Sequence, residues 1–226
     1  IDKFQKTFES YWQSDDFEIF DDSIHDEKLI SALNQGKTAK TSNINVSFFD
    51  IKPYPFQSEI LEKLEVERNV HNRNRNLVVA ATGTGKTVIS AFDYKNFKQN
   101  NKSSKLLFLA HRKEILEQSL GAFRGVLRDN NFGELWVDGI MPSDYKFVFA
   151  SVQTLNNRLN KLNLSPEYFD YIVIDECHHL KANSYRGIIN YFKPKVLLGL
   201  TATPERMDGG DIQEDFHNKI AAEIRL

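Results

Sequence analysis

The sequence predicts an α/β domain of three layers with a mostly parallel central sheet. Short runs of about five continuously apolar residues recur along the chain, as expected of strands that are buried on both faces of a parallel sheet. Helical stretches lie between these runs at the spacing of βαβ units. A glycine-rich turn joins the first run to the helix that follows it, which is typical of α/β domains that bind phosphate groups.

The predicted elements follow one another along the second part of the chain. The strands are NLVVA (76–80), KLLFLA (105–110), FVFAS (147–151), YIVID (171–175) and VLLGL (196–200), with ELWVD (134–138) as a further candidate. The helical stretches include residues 57–68, 86–98 and 112–123. We find neither an internal repeat nor a low-complexity tract, so the sequence favours one domain, residues 47–226.

Residues 1–46 differ from this pattern. They are acidic and aromatic and end in the polar stretch NQGKTAKTSN, which is typical of a linker. We expect a short N-terminal extension or the end of a preceding domain. The first residues have neither an initiator Met nor the apolar core of a signal peptide, so we expect a piece of a longer protein.

The composition favours a globular protein without a membrane span. The 226 residues are 41% hydrophobic, which is enough for a core, and no apolar run approaches the roughly 18 residues that cross a bilayer. Cys177 is the single cysteine, which excludes an internal disulfide and favours a reducing, cytoplasmic location. Residues 1–50 carry 10 acidic and 5 basic side chains and the remainder 21 and 24, so the overall charge does not by itself indicate a nucleic-acid partner.

The turn ATGTGKT has the context that a phosphate-binding loop requires, a strand before it and a helix after it. Gly83 and Gly85 let backbone N–H groups face an anion, and Lys86 is positioned to reach the β and γ phosphates. Ala80 stands where the usual pattern has glycine. The alternative is a glycine and threonine turn with an accidental lysine. The predicted nucleotide-binding residues of the loop are Thr82, Gly83, Thr84, Gly85, Lys86 and Thr87, of which Thr87 also binds Mg²⁺.

Asp175 and Glu176 follow an apolar strand and complement the loop. At the carboxyl end of a parallel strand, Asp175 is predicted to hold Mg²⁺ through water and Glu176 to orient the attacking water. Adjacent acids at a strand end are also common as solvated caps. Cys177, His178 and His179 are consecutive and do not converge on one tetrahedral ion, so we do not predict a zinc site.

With ATGTGKT and DECH in order, the chain resembles the DExH branch of the superfamily 2 helicases and translocases. Further motifs match in sequence: KPYPFQ (52–57) is similar to the Q motif, LAHRKEILEQ (109–118) to motif Ia, SVQTL (151–155) to the strand-tracking motif and LTATPER (200–206) to motif III. The resemblance covers roughly residues 47–226 and implies the first of two RecA-like domains. FLAHRKEIL, DECHH and GLTATPERMDGGDI are most similar to the motor subunits of type III restriction enzymes and to bacterial DNA-repair helicases.

The resemblance also implies roles for individual residues. Gln57 reads the adenine edge, beside Tyr54 or Phe56, although both aromatics are equally typical of a core. Other matched positions contact nucleic acid or link it to the γ phosphate. The nucleic-acid contacts are His111, Arg112, Gln153 and Thr154, and the coupling residues are His178, Thr201 and Thr203. Gln153 and Thr154 are alternatively helix-capping residues, and Thr201 and Thr203 turn formers.

The expected function is that of a motor that couples ATP hydrolysis, with Mg²⁺, to movement along nucleic acid, DNA in preference to RNA. The family's second domain supplies an arginine finger, and we expect that domain to lie outside this chain; Arg206 is not a substitute for the finger. The chain alone is therefore expected to bind ATP and hydrolyse it poorly. Alternatives are the motor of a restriction endonuclease, a protein-moving ATPase of the same fold, or an interaction module without turnover, against which Glu176 counts.

Overall fold

Seven strands form one sheet in the computed structural model, which describes residues 51–177, 183–203 and 215–224. The described residues lie in one unit, Asn45–Leu226. The strands are β1 (Arg75–Ala80), β2 (Leu106–Ala110), β3 (Glu134–Trp136), β4 (Phe147–Ser151), β5 (Tyr171–Ile174), β6 (Val196–Thr201) and β7 (Ile220–Ile224). The helices are α1 (Pro55–Asn69), α2 (Lys86–Asn100), α3 (Lys113–Leu127), α4 (Val152–Arg158) and α5 (Asn183–Tyr191), and a short 3₁₀ turn spans Leu159–Lys161.

The strand order across the sheet is β3, β4, β2, β5, β6, β1, β7, and all neighbouring pairs are parallel. Parallel strands end at the same edge of a sheet, so the loops after the strands share one side of the molecule. In open α/β sheets this side, here called the carboxyl edge, is where ligands bind. The chain therefore brings segments that are distant in sequence to one edge.

The sheet is covered on both faces, as the alternation along β1 shows. Val78 and Ala80 belong to a buried cluster that also includes side chains of α1, α2 and α3. Leu77 and Val79 belong to a second cluster that includes side chains of α4 and α5. Since strand side chains alternate between the two faces, the helices form one layer on each side. The predicted three-layer α/β fold is confirmed.

The described part of the chain also refines the predicted boundaries. All six predicted runs form strands, displaced at their ends by at most two residues, and β7 is an additional strand that the sequence did not predict. Helix α3 begins one residue later than predicted because Arg112 has an extended backbone (φ −113°, ψ 142°) and serves as its N-cap. Within the described residues, every helix is too short or too polar to span a bilayer.

Candidate active site

The carboxyl edge carries nearly all of the residues that the sequence singled out. The loop that follows β1 holds the glycine-rich turn, and each of the four strands β2, β4, β5 and β6 ends at another predicted motif. These motifs supply His111 and Arg112, Gln153 and Thr154, Asp175 and Glu176, and Thr201 and Thr203. His178 lies outside the described residues.

The glycine-rich turn has the backbone geometry of an anion-binding loop. Gly83 (φ 87°) and Gly85 (φ 77°) both occupy the left-handed region that favours glycine. Gly85 is the N-cap of α2, so the first N–H groups of that helix, which have no acceptors inside it, lie beside the turn. The Thr84 hydroxyl donates to the Ala81 carbonyl at 2.7 Å and closes the loop. Thr82 is exposed on the same loop.

The fit of this loop to a triphosphate rests on its open face. A Cβ atom built on Gly83 would meet no atom within 4 Å, so the turn presents free space rather than a packed neighbour. Helix N-terminal amides and the helix dipole favour a phosphate in such a space. The loop residues therefore fit the nucleotide that the sequence predicts.

Gln57 holds the loop from the neighbouring helix α1. Its side chain is 3% exposed, and its amide nitrogen donates to the Thr84 carbonyl at 3.0 Å. Its amide oxygen accepts the Tyr54 N–H, also at 3.0 Å. A Cβ on Gly85 would approach the Gln57 amide nitrogen to 2.7 Å, so the glycine makes room for this contact. The loop-holding contact was not predicted from the sequence, and the adenine contact of Gln57 stays a prediction.

The two aromatic residues of the same motif lie at the surface rather than in the core. Tyr54 is 50% exposed and Phe56 is half-buried. Their rings stack on each other with centroids 5.9 Å apart and planes 7° from parallel. A stacked, accessible pair of rings beside the loop is compatible with packing against a base, which stays a prediction.

Lys86 and Asp175 bring the two halves of the site together. Asp175 is 6% exposed, and burial together with the charge of Glu176 raises its pKa to about 6. The Glu176 N–H, which donates to the Asp175 Oδ1 at 3.0 Å, and the positive charge of Lys86 lower that pKa in turn. Lys86 also donates to the Ala80 carbonyl at 3.2 Å. The ammonium group at the loop therefore acts on the carboxylate that follows β5.

The backbone at the second acid has an unusual conformation. Glu176 has φ 51°, a left-handed conformation that is rare and strained for a residue with a side chain. Backbone strain of this kind concentrates at functional sites. Thr87 lies in the first turn of α2, half-buried. The oxygen atoms of Thr87 and Asp175 are hard donors of the type that Mg²⁺ prefers, so the residues present fit that ion.

The predicted nucleic-acid contacts are exposed at the ends of β2 and β4. The His111 and Arg112 side chains are exposed, and the His111 ring lies edge-on to the Tyr185 ring with centroids 5.0 Å apart. At α4, the Ser151 hydroxyl accepts the Thr154 N–H at 3.1 Å and donates to the Thr154 hydroxyl at 2.7 Å. Thr154 thus takes part in capping α4, whereas Gln153 is exposed. Nucleic-acid binding by these four residues stays a prediction.

Two of the predicted coupling residues, Thr201 and Thr203, lie between the loop and the acids. Thr201 ends β6, which runs between β1 and β5 in the sheet, and its side chain is fully buried. Its hydroxyl donates to the Thr203 carbonyl at 2.7 Å and accepts the Thr203 N–H at 3.1 Å. These local bonds form a tight turn, as the turn-former alternative expected. The position of β6 nevertheless places this turn beside both the glycine-rich loop and the acids.

Comparison with known proteins supports the motifs. Residues 50–206 match the family described as type III restriction enzyme, res subunit. The putative ATP-dependent helicase IRC3 of Saccharomyces cerevisiae is 35% identical over 143 residues, which are 58% of this chain and 20% of the yeast protein. The type I restriction enzyme EcoAI endonuclease subunit of Escherichia coli is 33% identical over 169 residues, 68% of this chain and 19% of the bacterial protein.

A solved structure has the same fold. The Hef helicase domain of Pyrococcus furiosus superposes with a TM-score of 0.58 and 26% sequence identity, over 75% of this chain and 37% of that one. The chain spans about a fifth of the length of the two curated relatives described above.

Proposed function

Because the chain belongs to the family of type III restriction enzyme res subunits, we propose that it is the ATP-binding first motor domain of a superfamily 2 helicase or DNA translocase. One observation carries the proposal. Only β6 separates β1, whose loop carries Lys86, from β5, which ends at Asp175, and the charge of Lys86 lowers the pKa of that carboxyl group. Two separate segments thus converge on one site with the groups that a nucleotide triphosphatase needs.

In this proposal each group at the site has one role. The amides at the start of α2 and the Lys86 ammonium bind the phosphates of ATP, while Thr87 and Asp175 hold Mg²⁺. The bound ion neutralises charge that develops on the phosphate oxygens. Glu176, the second acid after β5, orients and polarises the attacking water. Gln57 holds the loop and reads the adenine edge.

The proposed track for nucleic acid runs along the ends of β2 and β4. His111, Arg112, Gln153 and Thr154 supply the polar groups there, of which Arg112 and Gln153 are exposed. DNA is preferred to RNA as the partner because the matching family is that of a restriction enzyme subunit. Thr201 and Thr203, between the loop and the acids, link the phosphates to this track.

The site requires a second motor domain for rapid turnover. An arginine finger contributes about 10³ to 10⁵ to the turnover of related nucleotide triphosphatases. In the motors that the chain resembles, the second RecA-like domain supplies this residue. Residues 1–226 by themselves should therefore bind ATP and hydrolyse it slowly, and ATP bound between the two domains should close them.

A more specific role is the motor part of a restriction endonuclease. The family match and the similarity to the EcoAI endonuclease subunit favour it. Cleavage of duplex DNA that requires ATP hydrolysis would support this role. A complete protein that hydrolyses ATP and moves on DNA without cutting it would leave the helicase or translocase role.

The direct test is an ATPase assay on the full-length protein with single-stranded DNA, duplex DNA and RNA compared as stimulators. We expect stimulation by DNA above that by RNA. An ATPase that no nucleic acid stimulates would contradict the proposed motor and would favour a protein-moving ATPase of the same fold.

Two substitutions separate binding from hydrolysis. Lys86→Ala should abolish ATP binding in a fluorescent-nucleotide titration, because it removes the cation that contacts the phosphates. Glu176→Gln should leave binding intact and lower turnover by about 10² to 10⁴, the usual contribution of a general base. Glu62→Gln, the same change at an exposed site on α1, is the control and should alter neither. Equal loss of binding in both site variants would contradict the assigned roles.

A further inference from the structure

Within residues 51–177, 183–203 and 215–224, the hydroxyl group of Tyr185, on α5, has no hydrogen-bond partner. The residue is fully buried, and among the residues that the structure describes no donor or acceptor lies within reach of its oxygen. A buried unpaired hydroxyl costs free energy comparable to that of a lost hydrogen bond, and phenylalanine would avoid the cost. An unpaired polar group in such a place calls for a functional explanation.

The ring of Tyr185 lies against one of the proposed nucleic-acid contacts. It meets the His111 ring edge-on, with centroids 5.0 Å apart and planes at 81°. Because α5 covers the same face of the sheet as Cys177, the tyrosine lies under the segment that carries the acids. Tyr185 thus contacts the nucleic-acid side of the carboxyl edge with its ring.

His111 and the acids are neighbours across two paired strands. Leu109 of β2 pairs with Ile174 of β5, and the Asp175 N–H continues the ladder by donating to the Leu109 carbonyl at 2.9 Å. His111 and Glu176 each lie just past the end of one of these two neighbouring strands. Tyr185, which packs against His111, is also close enough to Asp175 and Glu176 for their charges to act on its hydroxyl.

The electrostatics at the hydroxyl agree with this placement. Burial raises the pKa of Tyr185, and the charges of Cys177, Asp175 and Glu176 raise it further. The hydroxyl therefore keeps its proton at physiological pH. Beside carboxylates, which are acceptors only, it can act as a donor.

We propose that Tyr185 is a positioning residue that couples nucleic-acid binding to hydrolysis: when bound nucleic acid displaces the His111 ring, the Tyr185 hydroxyl donates a hydrogen bond to the pair Asp175 and Glu176. The inference rests on the proposed function, since it assigns a nucleic-acid contact to His111 and hydrolysis to the acids. A hydrogen bond from the tyrosine fixes the direction of the carboxylate, and therefore the position of the water that the carboxylate holds. Without nucleic acid the hydroxyl does not make this bond, and it is unpaired among the residues that the structure describes.

The test is Tyr185→Phe in the full-length protein, which keeps the ring and removes only the hydroxyl. ATP turnover is measured at saturating ATP with and without saturating DNA. The ratio of stimulated to unstimulated turnover should fall about tenfold or more, the value of one hydrogen bond to a charged group. The KM for ATP, the Kd for DNA and the Tm should not worsen, because the hydroxyl has no hydrogen-bond partner in the described part of the chain.

Tyr94→Phe is the matched control. Tyr94 is also fully buried, but its hydroxyl bonds to Ser104, on the face covered by α2 and away from the acids. This variant should leave the stimulation ratio unchanged even where it lowers the Tm. A ratio that falls equally in both variants would assign the effect to packing and overturn the inference.

A double-mutant cycle with His111→Ala tests the link itself. His111→Ala alone should lower the stimulation ratio, and adding Tyr185→Phe should lower it little further, because both changes interrupt one route. Independent, multiplicative losses would overturn the inference. A wild-type protein without DNA stimulation would contradict the proposed function instead, whereas normal stimulation in Tyr185→Phe would overturn only the role of Tyr185.

Discussion

A buried ion pair behind the active site gives a prediction whose size the structure sets. Two guanidinium nitrogens of Arg68, on α1, donate to the two carboxylate oxygens of Asp93, on α2, each at 2.7 Å. The side chains are only 12% and 5% exposed. The Tyr171 hydroxyl also donates to Asp93, and the Arg68 Nε–H donates to the Asn76 Oδ1 at 2.7 Å. The network joins the helices and strands that carry the loop and the acids.

Replacement of Asp93 by Asn keeps the shape of the side chain and removes its negative charge. Burial disfavours a charged Arg68, but the Asp93 carboxylate outweighs it and raises the pKa of the guanidinium above its ordinary value. Arg68 stays charged when Asp93 is lost, because a guanidinium group keeps its proton in proteins. Removing one partner of a buried pair typically costs about 3–5 kcal/mol, which for a domain of this size corresponds to a fall in Tm of roughly 6–20 °C.

The measurement is urea or thermal unfolding of Asp93→Asn beside the wild-type protein. Glu59→Gln is the control, since Glu59 pairs with Lys63 at a similar 2.7 Å but with side chains 64% and 48% exposed. That exposed pair should contribute about 0.5 kcal/mol or less. If Asp93→Asn and Glu59→Gln lowered the free energy of unfolding equally, burial would not determine the cost of losing a charge, and the reasoning would be refuted.

Two glycine substitutions test the packing around the site. Gly85→Ala and Gly83→Ala both place a side chain at positive φ, which lowers the free energy of unfolding by about 1–2 kcal/mol each. Only Gly85→Ala also displaces the Gln57 amide from the loop. Gly85→Ala should therefore be less stable than Gly83→Ala by about 1 kcal/mol, the contribution of one hydrogen bond, and should have the lower Tm. This difference between the two variants should disappear in a Gln57→Ala background. Gly199→Ala should destabilise by about 1–3 kcal/mol in urea unfolding, because the new Cβ overlaps the buried Phe216 ring; an unchanged unfolding midpoint would contradict this.

The sequence was sufficient for the strands that lie inside the sheet and insufficient for one at its edge. Interior strands such as β2 are apolar at every position because both faces are covered. In β7, which ends the sheet formed by the described residues, just Ala222 is buried and Glu223 is exposed. Its run IAAEI lacks the aromatic residues and most of the β-branched residues that indicate a strand. Pairing with β1, rather than local propensity, accounts for it.

The site divides in the same way between local and tertiary information. The turn that contains Gly85 directly follows β1 in the chain, and Asp175 and Glu176 directly follow β5. The sequence alone was therefore enough to locate them. The bond from Gln57 to the Thr84 carbonyl and the ring contact of Tyr185 with His111 join elements that are distant in the chain. No local pattern encodes such contacts, because they depend on how the helices settle on the sheet.

The position of β6 sets the distance between the glycine-rich loop after β1 and the acids after β5. Neighbouring strands lie about 4.8 Å apart, so β1 and β5, with β6 between them, end roughly 10 Å apart. Adjacent strands would leave the loop and the acids in direct contact, without room for phosphates and an ion. The end of β6 is closed by the buried Thr201 and its turn to Thr203, which form the floor of the gap. The turn from Thr201 to Thr203 therefore lies between the strand ends that carry the loop and Asp175, which is the position that the proposed coupling role requires.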